Sequence, residues 1–149
     1  AEVYARAVGV SLDELDRKVF ALRPLGVRVG GNYFVRSIQR VNTDRSLTFY
    51  CAVETGIVMT AMAPGSLLDS VRTQIEASER VVGTPLVTLG GDCFLRRLEA
   101  ELTGQSDAVS EFLKAHRVVG FNTYGEQFNG MHINQTFTGV VIGQPEFST

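Results

Sequence analysis

The 149-residue sequence contains no tryptophan, only two cysteines and only two histidines. Two cysteines cannot form a disulfide framework, and two histidines are too few for a histidine-rich metal site. Cys51 and Cys93 each lie within an apolar segment, so we predict that both are reduced core thiols. Reduced thiols favour a cytoplasmic location.

An excess of charge of one sign and a long apolar run are also lacking. The chain has 14 Lys and Arg against 16 Asp and Glu, which gives a formal net charge of −2. This balance argues against nucleic-acid binding through bulk positive charge and against a polybasic membrane anchor. No apolar run approaches the roughly 20 residues of a transmembrane helix. We therefore expect neither nucleic acid nor a membrane as a partner.

The short signatures of common enzymes are missing as well. The sequence contains no CxxC, HExxH or GxSxG motif and no Walker-type glycine loop. We therefore predict no enzymatic activity and no catalytic residues. One alternative stays open, a hydrolase that uses Cys93 and His132, because such a pair needs to be adjacent only in space.

Periodicity predicts a mixture of helices and strands. A capping box at Ser11–Glu14 begins a helix that Pro24 ends. Residues 25–29, 33–41, 47–53 and 57–62 alternate with period two, which predicts four strands in an antiparallel meander. The fold class is therefore α+β: an antiparallel multi-stranded sheet with helices packed against it, in a single domain over residues 1–149.

The second half continues this mixture. Helical spacing predicts helices over 67–82 and 107–116, and a third that Asp92 caps and Gly104 ends. Before that third helix we predict a short buried strand over 85–89 and a glycine turn at Gly90-Gly91. An anion could bind the exposed N–H groups there, but the negative charge of Asp92 favours capping instead. The last strands are predicted over 118–124 and 132–142.

These last two strands and the loop between them carry an unusual set of polar side chains. The set consists of Asn122, Tyr124, Glu126, His132, Asn134 and Thr136. A solvated strand face usually carries more Lys, Arg and Glu, whereas short, directional hydrogen-bonding groups suit the wall of a pocket. We interpret the set as a ligand-binding wall on two neighbouring strands. The alternatives are a polar face that simply meets water and, for His132, a structural hydrogen-bonding role.

Two arginines complete the candidate site. Arg36 lies between Phe34 and Ile38 on one strand face, so it either extends to the surface or reaches a buried anion or carboxylate. Arg97 follows Arg96 at the start of a helix, where Glu101 is its candidate partner at i,i+4. We count both Arg36 and Arg97 as candidate ligand-binding residues and predict no metal site.

Longer stretches of the chain resemble the FIST C domain, the C-terminal half of the FIST sensory module of bacterial signalling proteins. The matching stretches are Tyr4–Arg6, Pro24–Gly26, Tyr33–Ser37, Asp92–Arg97 and, most specifically, Gly120–Gln127 and His132–Thr136. The sequence starts in mid-pattern and without an initiator methionine, so we expect residues 1–149 to be a FIST C-like domain excised from a longer protein.

The resemblance implies sensing rather than catalysis. It implies a small polar ligand, with an amino acid as one candidate, and a conformational change passed to an output domain or kinase of a chemotaxis or related signalling system. The N-terminal FIST half is a further implied partner. Two alternatives remain: a haem-binding nitric-oxide sensor with His132 or His116 as axial ligand, and a docking or homodimerisation domain without a ligand of its own.

Overall fold

The structure is a computed structural model that describes residues 1–144, so the last five residues of the predicted domain lie outside it. The helices are α1 (Glu2–Val8), α2 (Arg17–Leu22), α3 (Leu67–Val82), α4 (Phe94–Leu102) and α5 (Ser106–Ala115), with a 3-10 helix at Leu12–Glu14. The strands are β1 (Leu25–Val29), β2 (Asn32–Arg36), β3 (Ile38–Val41), β4 (Leu47–Phe49), β5 (Met59–Ala61), β6 (Pro85–Cys93), β7 (Val118–Thr123), β8 (Glu126–Phe128), β9 (Met131–Ile133) and β10 (Phe137–Gly143). The predicted α+β class is confirmed.

The first half contains an antiparallel sheet in the order β2-β1-β5, and β3 and β4 form a separate hairpin. The predicted meander is therefore wrong in its order, because the fourth predicted strand pairs with the first. The second predicted strand also divides at Ser37, whose backbone N–H donates to the Asn134 side chain at 3.3 Å. A donor used in this way is lost to the strand ladder, so β2 ends and β3 begins there.

The second half is built on the sheet β10-β6-β7. Its central strand β6 pairs antiparallel with β10 and parallel with β7. The predicted turn at Gly90-Gly91 is wrong, since Gly90 lies in the sheet between Gly120 and Gly139. Partner strands on both sides supply backbone hydrogen bonds that hold the two glycines in the sheet. The residues next to Gly90 and Gly91 in the sequence do not indicate these partners. Cys93, and not Asp92, precedes the first turn of α4.

The two strands predicted to be neighbours are separated. Strand β6 lies between β7 and β10, and the predicted strand 132–142 divides into β9 and β10 around Asn134–Thr136. The predicted helix after Ser11 also divides, because Asp16 accepts hydrogen bonds from the N–H groups of Lys18 and Val19 and caps a new helix. The capping box at Ser11 is present. The predicted limits of β1, α3 and α5 hold to within about a residue.

Two hydrophobic clusters form the core. Tyr4, Phe20 and Ile38 join α1, α2 and β3, and Leu67, Ala100 and Val109 join α3, α4 and α5. Both cysteines are buried and free, as predicted. Within residues 1–144, no helix is both long enough and apolar enough to cross a bilayer.

Replacing Ile38 by alanine should destabilise the first cluster. The side chain is 1% exposed, and removing its methylene and methyl groups leaves a cavity, so we expect a loss of about 2–5 kcal/mol in the free energy of unfolding. Urea denaturation measures this loss. The control is Ile57→Ala, at a residue that is 37% exposed; an equal loss in both variants would contradict the assignment of Ile38 to the core.

Candidate functional site

The segment Asn134–Thr136 joins β9 to β10 and brings distant parts of the chain together. Gln135 adopts a left-handed backbone (φ 53°). Its side-chain amide donates to the carbonyl of Ala21 at 2.8 Å and to the Glu99 carboxylate at 3.2 Å. Its amide oxygen accepts from the Ser37 hydroxyl at 3.3 Å. Gln135 is not among the predicted site residues, since a glutamine in a predicted strand gives no signal of such contacts.

Glu126 and Thr136, both candidate ligand-binding residues, bond to each other. The Thr136 hydroxyl donates to Glu126 at 2.6 Å, and the Thr123 hydroxyl also donates to that carboxylate. Glu126 is only 4% exposed. Its carboxylate therefore ties β7, β8 and the Asn134–Thr136 segment together.

Arg36 reaches across to the same region. Its guanidinium donates to the backbone carbonyl of His132 at 3.0 Å, in an exposed hydrogen bond. The same guanidinium lies close to Cys51: burial raises the pKa of the Cys51 thiol, and the charge of Arg36 partly offsets this. The His132 side chain itself is exposed.

The fully buried Asn134 amide lies in a tight space beside Gly125. Its oxygen accepts from Ser37, but its Nδ2 has no hydrogen-bond partner among residues 1–144. A Cβ atom on residue 125 would lie 2.2 Å from His132 Nε2 and 3.0 Å from Asn134 Nδ2. Glycine is therefore required at 125 for the imidazole and the amide to approach the backbone.

Arg97 and Asn122 belong to a second group. The Arg97 guanidinium donates to Asn122 Oδ1 at 3.5 Å and to Glu101 at 3.0 Å, the i,i+4 pair expected from the sequence. Asn122 Nδ2 donates in turn to the backbone carbonyl of Asp92 at 3.2 Å. These contacts connect β7, β6 and α4.

This second group borders a groove of about 450 Å³ between α4, α5 and the sheet. Its apolar lining includes Val109, Leu113, Val118 and Phe137, and Gly90 and Gly120 contribute backbone without side chains. Polar groups of both signs line it too: Arg97, Lys114, Asp92, Glu101 and Asn122. A concavity that combines apolar side chains with polar groups able to orient a ligand is compatible with a small-molecule site.

Two carboxylates lie close to the buried Arg96: the half-buried Asp92, which lines the groove, and the buried Glu99. The Arg96 side chain is buried and donates to Asp92 at 2.8 Å. Burial raises the pKa of Asp92, an effect that Arg96 opposes and the charge of Glu126 increases. Burial likewise raises the pKa of Glu99, against a hydrogen bond from Gln135 and the charge of Arg96. In the sequence, the i,i+4 spacing of Asp92 and Arg96 is the feature that indicates the ion pair between them.

The remaining candidates stand apart from both groups. Tyr124 is 75% exposed and its ring lies 5.9 Å from that of Phe94. Cys93 is completely buried, and burial raises the pKa of its thiol. A reactive cysteine needs an accessible, stabilised thiolate, so these features do not fit a nucleophile.

The two histidines do not fit a haem site in the part of the chain that the structure describes. His116 Nδ1 lies 2.7 Å from Glu79, and the ring packs against Phe112. Neither histidine is among the residues that line the hollows on the two faces of the β10-β6-β7 sheet. Haem needs an apolar slot with an axial ligand that reaches the iron, and neither histidine of the described residues offers one in these hollows. Residues 1–144 also hold no metal-binding group of three or more His, Cys, Asp or Glu side chains.

These features define an α+β domain with a polar network at the junction of its sheets and a groove beside it. The family model of the FIST C domain matches residues 1–129, and the chain therefore belongs to the FIST C domain family. FIST C domains are sensory domains of signal transduction proteins. The match ends between β8 and β9, before the stretch His132–Thr136. Comparison with curated proteins and with solved structures gives no match.

Replacing Gly125 by alanine should strain the His132 and Asn134 contacts. Overpacking at such a site costs about 1–3 kcal/mol in the free energy of unfolding. Adding His132→Ala should recover part of that cost, because the nearest atom to the new Cβ is then removed. Urea denaturation of the single and double variants checks this. Gly65→Ala is the control, since an added Cβ there meets no atom within 4 Å.

The buried Glu99 carboxyl should make stability depend on pH in a known direction. Its folded pKa lies above the ordinary value of 4.5, so the folded chain binds this proton more tightly than the unfolded chain. As the pH falls from neutral towards the region just above 4.5, the wild-type chain should therefore gain stability relative to Glu99→Gln. Denaturation curves at several pH values measure the difference.

The control for the pH experiment is Glu101→Gln, which removes an exposed carboxylate from the same helix. If its curve against pH coincided with that of Glu99→Gln, burial would not be the cause of the effect.

Proposed function

We propose that this domain senses a small polar molecule in the groove between α4, α5 and the sheet, and passes a change of conformation to an output domain of a signalling protein. Membership of a sensory family supports the general role. The observation that carries the proposal is the set of groups of both signs, with Arg97 and Asn122 in contact, over an apolar floor.

The groove suits a zwitterion such as an amino acid. Lys114, Arg97 and the Asn122 amide offer donors to a carboxylate, whereas Asp92 and Glu101 offer acceptors to an ammonium group. Ionised partners strengthen hydrogen bonds, and the apolar lining would take up a side chain. The volume of about 450 Å³ is in the range of small-ligand pockets.

The contacts of Asn122 offer a route from the ligand to the rest of the domain. A ligand that binds Asn122 or Arg97 would compete with their mutual contact and with the bond to the Asp92 carbonyl. Asp92 is paired with the buried Arg96, which neighbours Glu99 and through it Gln135. A ligand with different affinity for two arrangements of these groups shifts their populations.

The other candidate residues have a supporting role in this proposal. Glu126, Thr136, Asn134 and Arg36 already bond to protein groups that hold the Asn134–Thr136 segment. We propose that they fix the position of β7, and thus of Asn122. The N-terminal FIST half, an output domain or kinase, and a cytoplasmic location in a bacterial cell remain part of this proposal.

Calorimetric titration of the 149-residue chain with the free amino acids tests the ligand site. We expect at least one to bind, and Asn122→Ala to weaken that binding about tenfold or more, since a hydrogen bond to a charged group is worth about 1.5–3 kcal/mol. The matched control is Asn32→Ala at the exposed start of β2. No binding across the panel, or equal losses in both variants, would contradict the groove as the site.

A further inference from the structure

The sheet β10-β6-β7 has a second face, which β8 borders at one end and on which large apolar side chains of the described residues are exposed. Helix α5 lies on one side, where Val109 and Leu113 line the groove with Val118 and Gly120. Side chains alternate along a strand, so the side chains of Val119 and Phe121 point to the other side, while Phe121 also borders the groove. There Phe121 is 75% exposed and Val119 is 52% exposed.

Register places large apolar side chains of all three strands on this open face. Leu89 pairs with Val119 in β7 and with Val140 in β10, and Ile142 pairs with Val87. We define the open face by its five exposed members: Leu89, Val119, Phe121, Val140 and Ile142. No charged residue lies at the other positions of these strands that point to the same side, which are Val87, Gly91, Thr123 and Thr138.

The area of the open face matches what a stable protein interface needs. Five large apolar side chains, each exposed by roughly half or more, present roughly 450 Å² of apolar surface. A standard interface buries about 800 Å² per partner, of which somewhat more than half is apolar. Contiguous apolar patches of several hundred Å² typically mark interaction sites.

The chemistry of the open face favours a second copy of the same chain as the occupant. A pleated surface of β-branched and aromatic side chains packs well against another such sheet, and every copy carries an identical one. Because the open face has no charged member, two copies meet there without like-charge repulsion, and the net charge of −2 opposes association only weakly. A hollow of about 810 Å³ borders this face, and Leu89, Val119, Phe121 and Val140 line it together with residues of α3 and β8. The part of the hollow at the open face leaves room for a partner side chain.

We propose that two copies of this chain associate through their open faces as a two-fold symmetric dimer. In such an interface the same patch is used on both copies. Phe121, the most exposed member, enters the partner's hollow and is the central anchor, the position that aromatic residues commonly hold in interfaces. The interface lies on the opposite side of the sheet from α5.

Sedimentation equilibrium over a wide concentration range tests this proposal. We expect the wild-type chain to form dimers with a defined dissociation constant, and Val140→Lys and Leu89→Lys each to raise that constant at least tenfold, because each buries an unpaired charge. The matched control is Val81→Lys, at a valine of α3 that is 84% exposed. It should leave the constant unchanged. Circular dichroism verifies that each variant folds.

Three results would overturn the proposal. The wild-type chain could stay monomeric at every concentration, the open-face variants could dimerise as tightly as the wild type, or Val81→Lys could weaken the dimer equally. A different protein domain that binds the open face while the chain alone stays monomeric would overturn it as well, since the occupant would then not be a second copy.

Discussion

The rest of the structure depends on the hydrogen bonds of Gln135. Its side chain joins the end of α2 at Ala21, the middle of α4 at Glu99 and the break between β2 and β3 at Ser37. These groups come from residues 36 to 114 positions away along the sequence. Because they are buried or partly buried, each unmade bond would leave a polar group without water. These hydrogen bonds offset the cost of the left-handed backbone at Gln135.

This arrangement places carboxylates inside the domain. Glu99, Asp92 and Glu126 share a region with one buried cation, Arg96, and burial raises the pKa of both Asp92 and Glu99. Three carboxylates with one guanidinium leave the region short of positive charge, and the hydroxyls of Thr123 and Thr136 donate hydrogen bonds to the carboxylate of Glu126. A buried polar network of this kind specifies one arrangement when its bonds are made and is sensitive when any is disturbed. That sensitivity is a useful property in a sensory domain.

Sequence patterns predicted those parts of the fold whose signals are local. Helix α3 begins after the cap Ser66 and ends before Gly83, and strand β1 alternates as expected. The failures come from contacts between distant residues. Gly90-Gly91 is typical of a turn, yet β7 and β10 hold it within a sheet. The polar chemistry of the candidate site could be predicted from residues such as Asn122 and Glu126. The separation of these residues into two groups could not, because it depends on β6 lying between β7 and β10. No local sequence pattern specifies that strand order.

The two proposed interactions use opposite faces of the same three strands. In β7 the neighbours Phe121 and Asn122 point to opposite sides, the first to the open face and the second to the contacts with Arg97 and Asp92. Because Phe121 and Asn122 are adjacent in β7, a ligand that shifted the backbone at Asn122 would shift Phe121 as well. Binding in the groove and association through the open face are then linked, and by reciprocity each changes the free energy of the other. If both proposals hold, the sheet is the element that connects the ligand site to the interface between the two copies.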